Sequence, residues 1–238
     1  MGFSKSSLRF LEENHRRNSR EWYMQHKAQY KQHVETPMLE LAQSLIPVML
    51  KIDSLLVLEP RKAVCKIWRY TRFSRDKTLF KRASWFVFQR SKGMVHPVWF
   101  FEITPDFHRY GCGYYSAPPR VMARVRELVV ANDARYRAAQ KALDSLSGFG
   151  LEGELYKRPR HPDAPEKQRN WLERKSITAM ITSQDSGQLF VDNLHSVVAK
   201  AFTKLAPVYA FLMHAHETSQ PAQKTVAGDV LWEGEEKE

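Results

Sequence analysis

The sequence predicts an α+β fold, a mainly antiparallel sheet flanked by helices in a single domain. Two changes of periodicity carry this reading. Helical apolar spacing gives way to short β-branched and aromatic runs at about Ala63, and helical spacing returns at Pro118. A third observation sets the strand direction, because the pieces between those runs are too short for crossover helices. Residues 1–216 are expected to form the domain, and residues 217–238, which end in an acidic run from Glu233 to Glu238, a disordered polar tail.

Each element has a local reason. Ser4 or Ser6 can cap a first helix that turns Leu8 and Leu11 inward, and Ser19 a second in which Trp22, His26, Tyr30 and Val34 recur every four residues. His26 on that stripe reads as a packed, hydrogen-bonded histidine, since no second His, Cys or acid stands beside it at ligand spacing. Pro37 opens or bends a third helix through Leu39, Ala42, Ile46 and Met49, which Pro47 should kink or end early. Strands are expected at 64–68, 85–89, 98–103 and 110–115. Pro118 and Pro119 suit a helix start, with Val121, Val125, Leu128 and Val129 as its apolar face, and Asn132 can cap a further piece reaching Leu143. A loop and edge-strand region runs from there to Ile181. Ser183 can cap the last long helix, where Leu194, Val198, Ala201, Phe202 and Leu205 keep helical spacing until Pro207 interrupts it.

Composition narrows the function classes. With 43% hydrophobic residues in 238, the chain can bury one sizeable core. No apolar run approaches the roughly 18 residues that span a bilayer, and Lys5, Arg9 and Glu12 interrupt any signal-like stretch, so a soluble, cytoplasmic protein without a membrane partner is expected. Cys65 and Cys112 stand far apart without CxxC or CxxH spacing, which points to free buried thiols and to no metal. There is no P-loop, GxGxxG, HExxH or GxSxG motif, and no cofactor is implied. Gly111-Cys112-Gly113 reads as a bulge or tight packing position ahead of a nucleophile site, and His214 and His216, two apart on a helix, do not share a face.

Charge is local. Between residues 61 and 82 nine Lys or Arg stand against one acid, Asp76, a net +8 within a chain of net charge +11. Arg69 and Lys81 fall near the ends of neighbouring strands, with Arg72, Arg75 and Lys77 in the connection and Arg82 just beyond. Such a loop can gather guanidinium and ammonium groups around a phosphate or carboxylate, with Arg72 and Lys77 as first choices. The plainer alternative is a solvated face in which Asp76 caps a turn and pairs with Arg72. A second basic element, Lys157 and Arg158 onward to Lys175, has the Pro content of an extended loop. It either faces the first across a cleft or is an ordinary mobile loop.

These segments carry a family resemblance. Thr71-Arg72-Phe73-Ser74-Arg75-Asp76-Lys77 with Lys81 resembles the RDTRFSKDKxPYK signature of the family called domain of unknown function 2461. Leu8 to Leu11, Asn18 to Tyr23, Leu155 to Pro159 and Glu173 to Ser176 resemble its other elements, over roughly residues 3–215. Tyr70 stands where the family usually has Asp, and Leu79-Phe80 replaces its Pro-Tyr. The resemblance implies a mixed α+β fold and a soluble protein, with no established activity.

Aromatic residues crowd the same region. Trp99, Phe100 and Phe101 are consecutive on an expected strand, so either both faces of the sheet are covered or one face shows aromatics in a concave pocket. Cations beside sheet aromatics are one way single-stranded nucleic acid is held. Three classes stay open: a binder of a phosphate-bearing ligand, with nucleotide or nucleic acid leading; an enzyme acting on an anionic small molecule; and an interaction protein that meets an acidic partner.

Overall fold

A computed structural model describes residues 2–91 and 95–219. Helical pieces open the chain: α1 (Lys5–Arg17), α2 (Arg20–Gln25), α3 (Lys27–Tyr30) and α4 (Thr36–Ile52), with a π-helical turn at Lys31–Glu35 leading into α4. Ser4 is the N-cap of α1, its N–H donating to Ser7 Oγ at 3.0 Å, and Ser19 Oγ accepts from the Trp22 N–H to start α2. His26 is satisfied as expected, its Nδ1 2.7 Å from the Trp22 carbonyl and its ring stacked on Trp22. Pro47 does not end α4, which runs on to Ile52.

Next come α5 (Pro60–Ala63), β1 (Ser84–Phe88), β2 (Val98–Ile103), β3 (His108–Gly113), α6 (Pro119–Val130) and α7 (Ala134–Asp144). After them come β4 (Gly150–Glu152), α8 (Glu166–Leu172), β5 (Thr178–Ser183), a 3-10 turn at Ser186–Leu189 and the long α9 (Leu194–Thr218). The strands make one sheet in the order β1-β2-β3-β5-β4, and every pairing is antiparallel.

Several expectations change. The expected strand at 64–68 is no strand of the sheet: Val64 bridges Phe86 singly, and the chain then turns to pair with its own continuation, Arg69 N–H to the Leu79 carbonyl and Lys81 N–H to the Ile67 carbonyl. β5 is an interior strand, and β4 takes the edge. Ser183 closes β5 and does not cap α9, because Asp185 Oδ1 accepts from the Gly187 N–H at 2.9 Å and starts a separate turn; Asn193 is the N-cap. Pro207 lies inside α9, which continues to Thr218 because Val208, Tyr209, Phe211 and Leu212 are all buried, and that burial offsets the lost backbone bond. The helix passes the expected boundary at 216, and the rest of the expected tail, 220–238, lies outside the described residues. By length and composition alone α9 is long and apolar enough to cross a membrane, a test that a core helix also passes, and half of its apolar stretch is buried within the protein.

Strand alternation decides the core. Phe86, Phe88, Trp99, Phe101, Ile103 and Cys112 point to one face and are fully buried. The α4 helix packs on β1 and α9 on β3, and Trp99 meets Phe202 at 4.8 Å and Tyr209 at 5.2 Å. Burial pushes the Cys112 thiol far up, which leaves it a poor nucleophile between its glycines. Phe100 is only half-buried on the opposite face, where it lines a cavity. On that face Gly111 permits β5 to approach closely: an added Cβ would lie 2.1 Å from the Ala179 carbonyl oxygen and 2.7 Å from Met180 Cα. Both obstacles are backbone. Gly111→Ala should therefore destabilise the fold by about 2 kcal/mol or more, read from urea unfolding, and an unchanged midpoint would refute this account of β3 and β5.

One buried polar tie holds the end of α4 to α9. Asp53, 8% exposed, accepts from Tyr209 Oη at 2.6 Å, Arg90 Nε at 2.7 Å and the Leu55 N–H at 3.0 Å. Burial alone would raise its pKa; the bonds from Tyr209, Arg90 and Leu55 overrule that and hold the carboxyl below its usual range. The folded pKa is depressed, so this stabilisation is present above the unfolded carboxylate's pKa of about 3.9 and is lost as pH falls through the folded value. Asp53→Asn should cost about 2–4 kcal/mol at neutral pH and flatten the acid limb of the stability–pH profile. A wild-type acid limb in the variant would assign that limb to other carboxylates.

Candidate functional site

The residues of the basic segment form a hairpin. Its arms are the backbone pairs around Trp68 and Phe80, whose rings lie 4.3 Å apart and pack on Tyr23. Two contacts from the first helices fix it: Leu79 N–H donates to Asn18 Oδ1 at 2.7 Å, and His15 Nδ1 lies 3.1 Å from the Phe80 carbonyl. Asn18 holds a left-handed φ of 49°, which aims its side chain back at the hairpin.

The tip, residues 70–78, carries the exposed side chains. Tyr70 is 74% and Phe73 83% exposed, their rings 6.2 Å apart, and the Arg72 guanidinium lies 5.3 Å from the Phe73 centroid. Lys77 Nζ donates to the Thr71 carbonyl at 3.0 Å, and Arg75 has no partner among the described residues. Asp76 caps the turn as expected, accepting from the Thr78 hydroxyl and N–H, but its ion-pair partner is Arg69, not Arg72. The Thr78 bonds and then Arg69 hold its carboxyl far below the usual range. The other cations of the cluster are structural. Arg82 clamps Glu12 of α1 to Asp106 in the β2–β3 turn, and Lys81 donates to the Lys66 carbonyl at 2.6 Å with its ammonium 4.3 Å from the Trp85 centroid.

The second basic element sits at the other edge of the sheet. Tyr156 is its centre: Arg126 donates to the Tyr156 hydroxyl at 2.8 Å, the Arg160 guanidinium lies 3.7 Å from the ring, and Lys175, paired with Glu154, lies 6.0 Å away. Glu173 anchors this loop by accepting from the Arg160 and His161 N–H groups, which holds its pKa down against the opposing effect of burial. Lys157 and Arg158 are exposed, with no partner among the described residues. Trp85 on β1 and Tyr156 beside β4 mark opposite sides, and four interstrand steps of about 4.8 Å separate those strands along the sheet. That span, about 19 Å, exceeds what one phosphate bridges.

Between the two edges the open face holds a cavity of about 950 Å³. The antiparallel register arranges this face in rows: Trp85, Glu102, Arg109 and Thr182 in one; Val87, Phe100, Gly111 and Met180 in the next; Val98, Gly113, Thr178 and Glu152 in the third; all of these but Gly111 and Thr182 line the cavity. Glu102 and Arg109 pair at 2.5 Å. Of the cations expected from the sequence to bind an anion, Lys175 alone lines this cavity. Arg126 and the Glu102–Arg109 pair carried no motif, and Tyr156, inside the Leu155 to Pro159 element, was not singled out as a site residue, although strand alternation already turned Glu102 away from Phe101.

The molecule is thus an α+β protein whose sheet is packed by helices on one face, carries a basic, aromatic hairpin at one edge and holds a cavity over its open face. It belongs to the family of conserved hypothetical proteins designated DUF2461, whose model matches residues 6–211. No curated protein matches the chain. Tyr70 puts an exposed ring on the hairpin tip.

The anchoring is testable through Asn18. Asn18→Gly keeps the left-handed backbone open and deletes the bond to Leu79. Hydrogen exchange at the Leu79 amide should quicken about fivefold or more, the equivalent of about 1 kcal/mol. Unchanged exchange would mean that the aromatic packing of Trp68, Phe80 and Tyr23 holds the hairpin alone.

Proposed function

We propose that the chain binds a phosphate-bearing ligand of the nucleic-acid class, a single strand, at the hairpin tip. The observation that carries this is the pairing of two exposed rings, Tyr70 and Phe73, with Arg72, Arg75 and Lys77 on a loop held rigidly at its base. Exposed aromatic faces are costly to leave in water and accept stacked bases, while guanidinium and ammonium groups beside them meet the phosphates. Arg69, Lys81 and Arg82 support the loop from within, and Lys157, Arg158 and Lys175 offer further positive charge at the opposite edge. A single strand suits this geometry better than a duplex, whose bases are already stacked. The reading is of a binding protein acting in the cytoplasm.

Fluorescence anisotropy with a labelled oligothymidylate of about 16 nucleotides tests it. The triple variant Arg72→Gln, Arg75→Gln, Lys77→Gln should bind more weakly, with the slope of log K against log salt reduced by about 2, since each lost phosphate contact on a single strand contributes about 0.7. The double variant Tyr70→Ala, Phe73→Ala should lose about 1–3 kcal/mol per stacked base while keeping the wild-type salt slope. Affinity unchanged in the triple variant would defeat the proposal. Loss in the triple variant with none in the double variant would instead mark a surface for an acidic protein.

A further inference from the structure

The charges that line the cavity over the open face do not cancel. Three glutamates, Glu102, Glu152 and Glu154, stand there against Arg109 and Lys175, a net charge of −1. Glu102 pairs with Arg109 and Glu154 with Lys175. The Glu152 carboxylate has no ion-pair or hydrogen-bond partner among the described residues, so the uncompensated charge is its own. Arg174 lies within electrostatic reach of it, but that guanidinium donates to Gly153 and Asn170 oxygens and does not line the cavity. Nor do Arg126 and Arg160, which face the Tyr156 ring, or Lys81, which faces Trp85.

The walls between these charges are apolar and aromatic. Val87, Phe100 and Met180 occupy the middle row. Tyr115, wholly exposed, stands at the end where Glu152 lies: it follows Gly113 closely, and Gly113 and Glu152 share Thr178 as a Cα partner. Trp85 and Tyr156 are already faced by the protein's own cations, whereas Phe100 and Tyr115 have no ring or cation partner among the described residues. An aromatic face left open attracts a cation through its quadrupole, and a neighbouring carboxylate adds to that attraction. From Glu152 on β4 to Phe100 on β2 is three interstrand steps, about 14 Å, and the cavity of about 950 Å³ has room for a drug-sized molecule of that length.

We infer that this cavity is a second ligand site, separate from the hairpin tip, for an elongated organic cation whose ammonium group lies against Glu152 and Tyr115 and whose apolar body runs over Met180 to Phe100. Glu152 supplies the counter-charge, and the middle row supplies the apolar surface that the body covers. A carboxylate of the same shape is rejected, because it would bring a second uncompensated negative charge to Glu152. An uncharged alcohol of that shape gains the apolar contacts alone.

Isothermal titration calorimetry on the full chain at neutral pH with three probes of one shape decides it: biphenyl-4-ylmethylamine, biphenyl-4-ylmethanol and biphenyl-4-carboxylate. Wild type should bind the amine at least about tenfold more tightly than the alcohol, and the carboxylate more weakly than either. Glu152→Gln, at an exposed position, should weaken the amine by about tenfold and leave the alcohol unchanged. Phe100→Ala should weaken amine and alcohol alike, by about tenfold. If Phe100→Ala does not fold, Met180→Lys, which sets an ammonium on the strand beside Glu152, should abolish amine binding. The variant Arg72→Gln, Arg75→Gln, Lys77→Gln should bind the amine like wild type, which keeps this site distinct from the hairpin tip. No amine binding by wild type, carboxylate binding as tight as amine binding, full amine affinity in Glu152→Gln or in Met180→Lys, or lost amine affinity in the hairpin variant would each overturn the inference.

Discussion

Trp99, wedged between Phe202 and Tyr209 with no exposed surface, is the contact on which the rest of the architecture depends. It lies on β2, and the pleat then forces its neighbours Val98 and Phe100 onto the opposite face. A side chain of that size, buried against α9, fixes both the register of the strand and the side on which the helix must lie. Its indole Nε1 has no hydrogen-bond partner among the described residues, so the contact rests on ring packing and on apolar area removed from water. Everything on the open face, cavity included, is the other half of that alternation.

The glycines of β3 extend the same constraint. On its buried face the strand presents His108, Tyr110 and Cys112, and on the open face Arg109, Gly111 and Gly113. The close approach of β5 demands the glycines, because its backbone fills the space their side chains would take. One backbone requirement thus sets how closely β3 and β5 lie. The polar tie of Asp53 to Arg90 and Tyr209 brings the C-terminal end of α4 against the same α9 that covers Trp99, so core packing and buried electrostatics secure one helix.

The positive charge is sorted by the fold into groups with different work. Arg82 and Arg69 are spent on carboxylates, Arg126 and Arg174 on backbone carbonyls, and these hold loops to the body of the protein. Arg72 and Arg75, with Lys157 and Arg158, face water. Lys81 falls between the two groups, half-buried and donating to the Lys66 carbonyl, with no carboxylate partner among the described residues. A count of cations along the chain cannot separate these cases, because each depends on which acid or carbonyl the fold brings within reach.

The sequence by itself determined the features that rest on local periodicity and composition. The first caps at Ser4 and Ser19, strand β2, the start of α6 at Pro119 and the antiparallel pairing were legible because they depend on residues within one or two turns or a short loop. The run Trp99 to Phe101 also showed that the open face would be either covered or concave. Only the tertiary structure decided the features that depend on distant partners. That α9 runs through Pro207, that β5 lies inside the sheet and that residues 64–68 turn away from it reflect burial and pairing across long separations. The pairing of Asp76 with Arg69, the seating of Lys81 on Trp85 and the placing of the two basic elements at opposite edges were likewise settled there. A local pattern fixes which face a side chain takes; strand order and long-range packing fix what it meets.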